Sequence, residues 1–580
     1  MGSNDRTWMC ELDCSEAGAG ALQRASGPPW SSEGRVSRMR PTPLQVCRGR
    51  TVSEASCEAT QPNNPAAEEV LMCSIQARFV QRMAQLRGRN TPNKNANGDG
   101  HGEPTLTRPR RVLIGVAATL GGLVLLLGVV WFAFTRTFYP SPPTAHVSGA
   151  SDVATQQRED FDYLSNYFDL NRTFTVQSRA RGEALLAQYR QRLGSLSNAQ
   201  FDLGIAQIVA LADNGHSRVE PGPLSRRHNR LPCRFYHFDD GYRIIRARTA
   251  CAGLLGAKLL QLDGHPIEAV ADGMFQYFGG PKNHYDQFAS VFFLESPELL
   301  NAAGLTDAAD RVALHVLLAD GATREVTVIA EAPDAAAPRV YSDEYLSPNR
   351  IENEPADWKP LLATDAQLPL FLRDYSAEPF QAVYWRDEGI YYAQFRSNED
   401  EPGHPIAAFV ARIEHEIAAD RPHAIVLDMR LDQGGNFTTT ASLMKYLTKL
   451  ADSVEHVYVL TSAWTFSAGI VSVALLKEHN GKKVTLIGDP VGDRMRLWAE
   501  GGSLKLPNSG LVIGFATGLH DYSKSCFGQP GCFWTMYLFP MHVQSLDPDI
   551  RLPYNFDDYV GLRDPILERT RELARAARDK

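Results

Sequence analysis

No Cys-x-x-Cys pair with matching His or Cys spacing occurs in the 580 residues, which leaves a structural zinc site without support. A basic excess is missing too: 59 Lys and Arg stand against 67 Asp and Glu, so the net charge of -8 gives no electrostatic reason to expect nucleic acid as a partner. Cysteine is sparse where the chain is long. Cys10, Cys14, Cys47, Cys57 and Cys73 crowd the first part, and only Cys233, Cys251, Cys526 and Cys532 follow. That second set is even in number, and Cys233 with Cys251 and Cys526 with Cys532 are its simplest pairings if the region faces an oxidising compartment. Residues 1–111 lack any sustained apolar period, are rich in Gly, Pro, Ser, Asn and Arg, and read as a disordered tail. Translation from Met72 or Met83 is an alternative start.

One long, strongly apolar run has neither charge nor proline. Residues 112–134, VLIGVAATLGGLVLLLGVVWFAF, are long enough to cross a hydrocarbon layer of about 30 Å as a helix. The segment is too long and too far from the start for a cleaved signal peptide. Arg108, Arg110 and Arg111 precede it and only Arg136 follows closely, so the N-terminal side is expected in the cytoplasm and everything beyond in an extracytoplasmic, periplasmic space. This agrees with disulfides downstream.

A chain of this length is expected to hold several domains. After a polar linker, residues 150–230 carry apolar residues at helical spacing and predict a small helical domain, broken at Gly215, Pro221, Gly222 and Pro223 so that His216 lies on a loop. Residues 231–332 switch to short β-like runs with one or two helices. Residues 333–385 read as a Pro-rich connector. Residues 386–575 alternate apolar strands (IYYAQF, HAIVLDMR, HVYVLTS, KVTLIGD) with amphipathic helices. This predicts an α/β layer structure with a parallel or mixed sheet covered on both faces and ligands at the strand ends.

Two of those strand ends, and one loop, carry candidate chemistry. In VLDMRLDQGGN, Gly434 and Gly435 follow a buried strand, where a turn without Cβ atoms can aim N–H groups outward as oxyanion donors. In VLTSAWTFSAGIVSVALLK, Ser467 sits where a strand gives way to a helix, with the Ala468 N–H as the other donor. His216 is a general base far away in sequence. Taken singly, each has a plainer explanation: a Gly-Gly turn, a serine N-cap, a solvated histidine.

In combination they resemble the family of tail-specific (C-terminal processing) peptidases, the tricorn core protease and the interphotoreceptor retinoid-binding protein. The resemblance rests on DNGHS at 213–217, LLGAKLLQLDGHPI, which also resembles the strand, turn and helix start of a PDZ domain, VLDMRLDQGGN, TFSAG with LIGDPVG, and LKLPNSGLVI with DPDIRLPYNFDDYVGLRDPIL. It runs from about residue 200 to 570. It implies a crotonase-like (ClpP/crotonase) catalytic domain, a PDZ-like β domain and a small helical N-terminal domain, preceded by one transmembrane helix. It also implies a serine endopeptidase with Ser467 as nucleophile, His216 as base and Gly434 or Gly435 with Ala468 as oxyanion donors, needing no cofactor or metal.

Many members of that family use a lysine after the serine. Here IGDPVGDRMRLWAE has none, and an arginine cannot accept a proton at neutral pH. A Ser-His-acid arrangement is expected instead, with Glu500 as the acid and Asp493 and Asp213 as rivals. After LIGDP relatives read Thr-Gly-Gly; here Val491, Gly492 and Asp493 stand there, followed by Arg494 and Arg496, which either narrow the cleft or bind a substrate carboxylate. A peptide or protein is the expected substrate, a membrane the expected support, and self-association stays open. A binding protein that has lost turnover is the alternative, and an interaction scaffold working through its N-terminal tail is a third.

Overall fold

The computed structural model describes residues 108–336, 342–351, 354–364, 366–373 and 379–579; the rest of the N-terminal tail lies outside them. Helix α1 (Arg108–Phe138) contains, among the described residues, the one stretch long and apolar enough to cross a membrane, Thr119–Phe138, with mean hydropathy 1.7 and none of it buried. It runs four residues beyond the expected span.

Helices α2 (Val153–Leu164), α3 (Val176–Gln191) and α4 (Asn198–Ala210) follow. Each opens on an N-cap side chain, Asp152, Thr175 or Ser197, that accepts the N–H three residues on and satisfies a donor the helix itself cannot. The Pro-Gly-Pro run expected to break helix instead starts one, α5 (Pro221–Arg227). A proline in the first turn has no N–H to leave unpaired, and its fixed φ already suits the helix.

Strands β1 (Cys233–Phe238), β2 (Gly241–Ala247) and β3 (Lys258–Leu262), helix α6 (Ile267–Phe275), and strands β4 (Arg311–Leu317) and β5 (Thr323–Ile329) build an antiparallel sheet in the order β1-β2-β3-β4-β5. A disulfide joins Cys233 to Cys251 with 5.9 Å between Cα atoms.

The second sheet has six strands. In chain order these are β6 (Gln381–Trp385), β7 (Ile390–Gln394), β8 (Ala424–Asp428), β9 (His456–Thr461), β10 (Val484–Gly488) and, after the ribbons described next, a two-residue strand Ile550–Arg551 at the far edge. All neighbours run parallel except β6, which pairs antiparallel with β7 and lies inside the stretch read as connector. Every residue of β7 and β8 is buried, and successive side chains serve opposite layers. Ile425 and Leu427 face a core shared with helices α7 (Ile406–Asp420) and α8 (Ala468–Asn480), whereas Ala424 and Val426 face one containing Ile566, Leu567 and Ala574 of the terminal helix Pro565–Arg578.

Two antiparallel ribbons complete the molecule: β11 (Arg496–Ala499) pairs with β14 (Gly518–Asp521), and β12 (Gly502–Lys505) with β13 (Val512–Phe515). The second ribbon brings the helical region to the α/β region. Val219 bridges Ile513, the Glu220 N–H donates to Val512 at 2.8 Å, and the Gly514 N–H donates to Arg218 at 2.9 Å. The loop that carries His216 is therefore fastened along the edge of β13. A second disulfide, Cys526 to Cys532, has 5.4 Å between Cα atoms.

Candidate active site

The turn that carries Ser467 is built by two loops locked together. The Phe466 N–H donates to the Asp432 carbonyl at 2.9 Å, the Thr465 hydroxyl to the Met429 carbonyl at 2.8 Å, and the Gly434 N–H to the Asp432 carboxylate at 2.9 Å. A side chain on Gly434 would lie 2.6 Å from the Ser467 Cβ, so this glycine lets the two loops meet. Ser467 itself has φ 49° and ψ -119°, a conformation that costs a non-glycine residue about 1–3 kcal/mol and is held only by its surroundings. It occupies the N-cap position of α8, yet its hydroxyl makes no capping hydrogen bond.

That hydroxyl opens on a cavity of about 180 Å³ also lined by His216, Gly434, Gly435 and Glu500. The candidate residues Ser467, His216, Gly434, Gly435 and Glu500 thus share one cavity, Ala468 following directly on Ser467. Because the Gly434 N–H is taken up by Asp432, the donors left for an oxyanion are Gly435 and Ala468, for whose N–H groups no hydrogen bond occurs among the described residues.

His216 stacks on Phe466, the residue before the serine, with centroids 4.5 Å apart, and the other face of Phe466 stacks on His284 at 4.3 Å. Among the described residues, neither His216 nitrogen has a hydrogen-bond partner. Desolvation brings its pKa down to about 3, helped by Arg218, His520 and His284, while the Trp498 backbone pulls the other way. The ring is therefore neutral, the form that accepts a proton.

The candidate acids separate clearly. Glu500, at φ 56° in the link between the ribbons, accepts the Tyr139 hydroxyl at 2.6 Å and lies 3.5 Å from His520, not bonded to His216. Asp493 is buried against Gly215, with Oδ2 unpartnered and its pKa pushed up to about 7 by burial. Asp213 is exposed and paired with Arg494 at 2.9 Å. Arg494 and Arg496 do not line the cavity; Arg496 is held by Asp521 at 2.9 Å.

His520, His284 and Tyr139 were not foreseen. The two histidines sit in no motif, and only tertiary packing brings them to the site. Tyr139 carried one signal, an aromatic residue at the edge of a membrane-length run. Among the described residues no group of three or more His, Cys, Asp or Glu could hold a metal.

Three solved structures are similar to this chain at low identity. The chain is similar to mature CPAF complexed with lactacystin at 13% identity, covering 73% of this chain and 98% of that one, with a TM-score of 0.47. The photosystem II D1 C-terminal processing protease follows at 11% identity, 70% and 94% coverage and a TM-score of 0.32. The tricorn protease gives 13% identity, 74% and 37% coverage and a TM-score of 0.30. No protein-family model and no curated protein matches the chain.

Proposed function

We propose that this chain is a membrane-anchored, extracytoplasmic serine peptidase, with a crotonase-like catalytic region, a PDZ-like region around β3 and α6, and α1 as its single transmembrane helix. The observation that carries this is Ser467: a strained, non-capping hydroxyl that faces a cavity shared with an unprotonated histidine. A serine that only capped a helix would have no use for such a backbone.

In the reaction, His216 takes the proton of the Ser467 hydroxyl as Oγ attacks a peptide carbonyl, and the N–H groups of Gly435 and Ala468 hold the resulting oxyanion. His216 then gives that proton to the departing amine. Water, activated by the same imidazole, releases the acyl group. Glu500 is the candidate acid that lines the cavity, and we assign it the role of stabilising the imidazolium. No cofactor enters any step.

A second reading, a peptide-binding protein without turnover, is favoured by the unbonded nitrogens of His216. Treating the full chain in nanodiscs with a fluorophosphonate probe separates the two. An adduct on Ser467 that vanishes in Ser467→Ala and falls sharply in His216→Ala supports the peptidase. An unmodified Ser467 in folded protein supports the binding protein.

A further inference from the structure

From Cys526 to Leu546 the chain carries no Asp, Glu, Lys or Arg. Within that stretch Phe527, Trp534, Tyr537 and Leu538 are 49%, 43%, 54% and 60% exposed, although burying a large apolar side chain is worth about 1.5–3 kcal/mol. They form one patch. The Phe527 ring stacks on Tyr537 at 4.9 Å, the Tyr537 hydroxyl accepts the Gly528 N–H at 3.3 Å, and Trp534 lies 6.0 Å from Phe533. The Cys526–Cys532 disulfide closes the loop that carries Phe527, and Tyr537 and Leu538 end a short helix, Thr535–Leu538. Single exposed apolar residues are ordinary; a contiguous, cross-linked aromatic set marks a contact surface.

Its place in the molecule identifies what it contacts. Phe533 packs edge-on against Phe138, centroids 5.1 Å apart, and lies 6.4 Å from Phe134. Both are at the C-terminal end of α1, the level at which a spanning helix leaves hydrocarbon for headgroups. Trp and Tyr concentrate at that level of a bilayer, their apolar rings in the acyl boundary and their polar atoms in the headgroups.

We propose that the loop and helix from Phe527 to Leu538 are a second membrane contact, a foot that dips into the outer leaflet of the bilayer that α1 crosses. This rests on the anchor proposed above. The stretch itself carries no Asp, Glu, Lys or Arg, and the cation at its edge, Arg496, which donates to Gln529 at 2.9 Å, is already paired with Asp521 at 2.9 Å, so entering the interface strips no unpaired ion. Lipid fits better than a protein partner because the patch is continuous with a helix whose own surface is bare and apolar.

The full chain in proteoliposomes tests this with tryptophan emission in plain lipid and in lipid brominated at shallow acyl positions, for wild type, Trp534→Phe and Trp131→Phe. The component removed by Trp534→Phe is expected to be quenched by brominated lipid, as is the component removed by Trp131→Phe, which reports α1. Quenching of the Trp131 component alone overturns the foot and leaves the anchor standing; quenching of neither overturns both. A Trp534 component shielded from aqueous acrylamide yet untouched by brominated lipid means that a second copy covers the patch, and overturns lipid as its partner. Replacing Trp by Phe keeps the patch apolar, so the fold is not at issue.

Discussion

Tyr139, the first residue beyond α1, donates its hydroxyl to Glu500 at 2.6 Å, 361 positions away along the chain. The end of a membrane-length helix is thus hydrogen-bonded to a carboxylate that lines the candidate catalytic cavity. Tyr139→Phe removes a hydrogen bond to a charged group, a change of about 1.5 kcal/mol. Labelling of Ser467 by fluorophosphonate should slow by about tenfold, and a fragment beginning at residue 145 should show the same deficit. An unchanged rate in both would detach Glu500 from catalysis.

Gly434 gives a second test. An added Cβ would meet the Ser467 Cβ at 2.6 Å and the Ala468 nitrogen at 2.9 Å, so the serine must move. Gly434→Ala is expected to lower the labelling rate by about 10²-fold, the penalty for displacing a nucleophile by about an ångström. Circular dichroism should show the sheet intact.

Strain at Ser467 predicts opposite effects on stability and activity. Glycine adopts φ 49° freely, so Ser467→Gly should raise stability by about 1 kcal/mol in thermal unfolding while labelling disappears. Ser467→Ala keeps the strain and should lose the activity without the gain.

Two buried groups give pH effects of opposite sign. His216 falls from 6.5 in the unfolded chain to about 3 when folded, so its contribution to stability is full above pH 6.5 and is lost as pH falls toward 3. Asp493 rises from 3.8 to about 7; its contribution is full below pH 3.8 and is lost as pH climbs through 7. Unfolding temperatures of Asp493→Asn should therefore exceed wild type at pH 8 and match it near pH 4. Labelling should persist well below pH 6.5, because the free imidazole does.

Most of the second sheet was legible because its strands are near-continuous apolar runs separated by longer helical segments; HAIVLDMR and KVTLIGD could be little else. The run TTTASLMKYLTKL was less legible. It reads as one helix but forms three short pieces, Phe437–Thr439, Ala441–Tyr446 and Leu447–Lys449, because Thr439 and Thr440 turn their hydroxyls to local carbonyls. At the site, Ser467, His216 and the glycines were found through local turn chemistry. Commitment of the Gly434 N–H to Asp432 two residues back is local, an Asx-type turn that the motif itself could have suggested; the Phe466 ring between two imidazoles and Glu500 bonded to Tyr139 depend on residues far apart in sequence, and no local pattern encodes them.

The Thr517 hydroxyl donates to the Phe138 carbonyl at 2.6 Å, fastening the last turn of α1 to the start of β14. In the anchored peptidase proposed above there would consequently be no leash between helix and catalyst. The proline-rich stretch that follows cannot act as one, because the fastening lies upstream of it. A catalyst on a long leash samples a volume; one bolted to its helix samples a layer about its own radius deep, and meets its substrates as so many per unit area of bilayer. Turnover on a bilayer-borne substrate would then scale with crowding in the plane and be indifferent to dilution of the surrounding fluid.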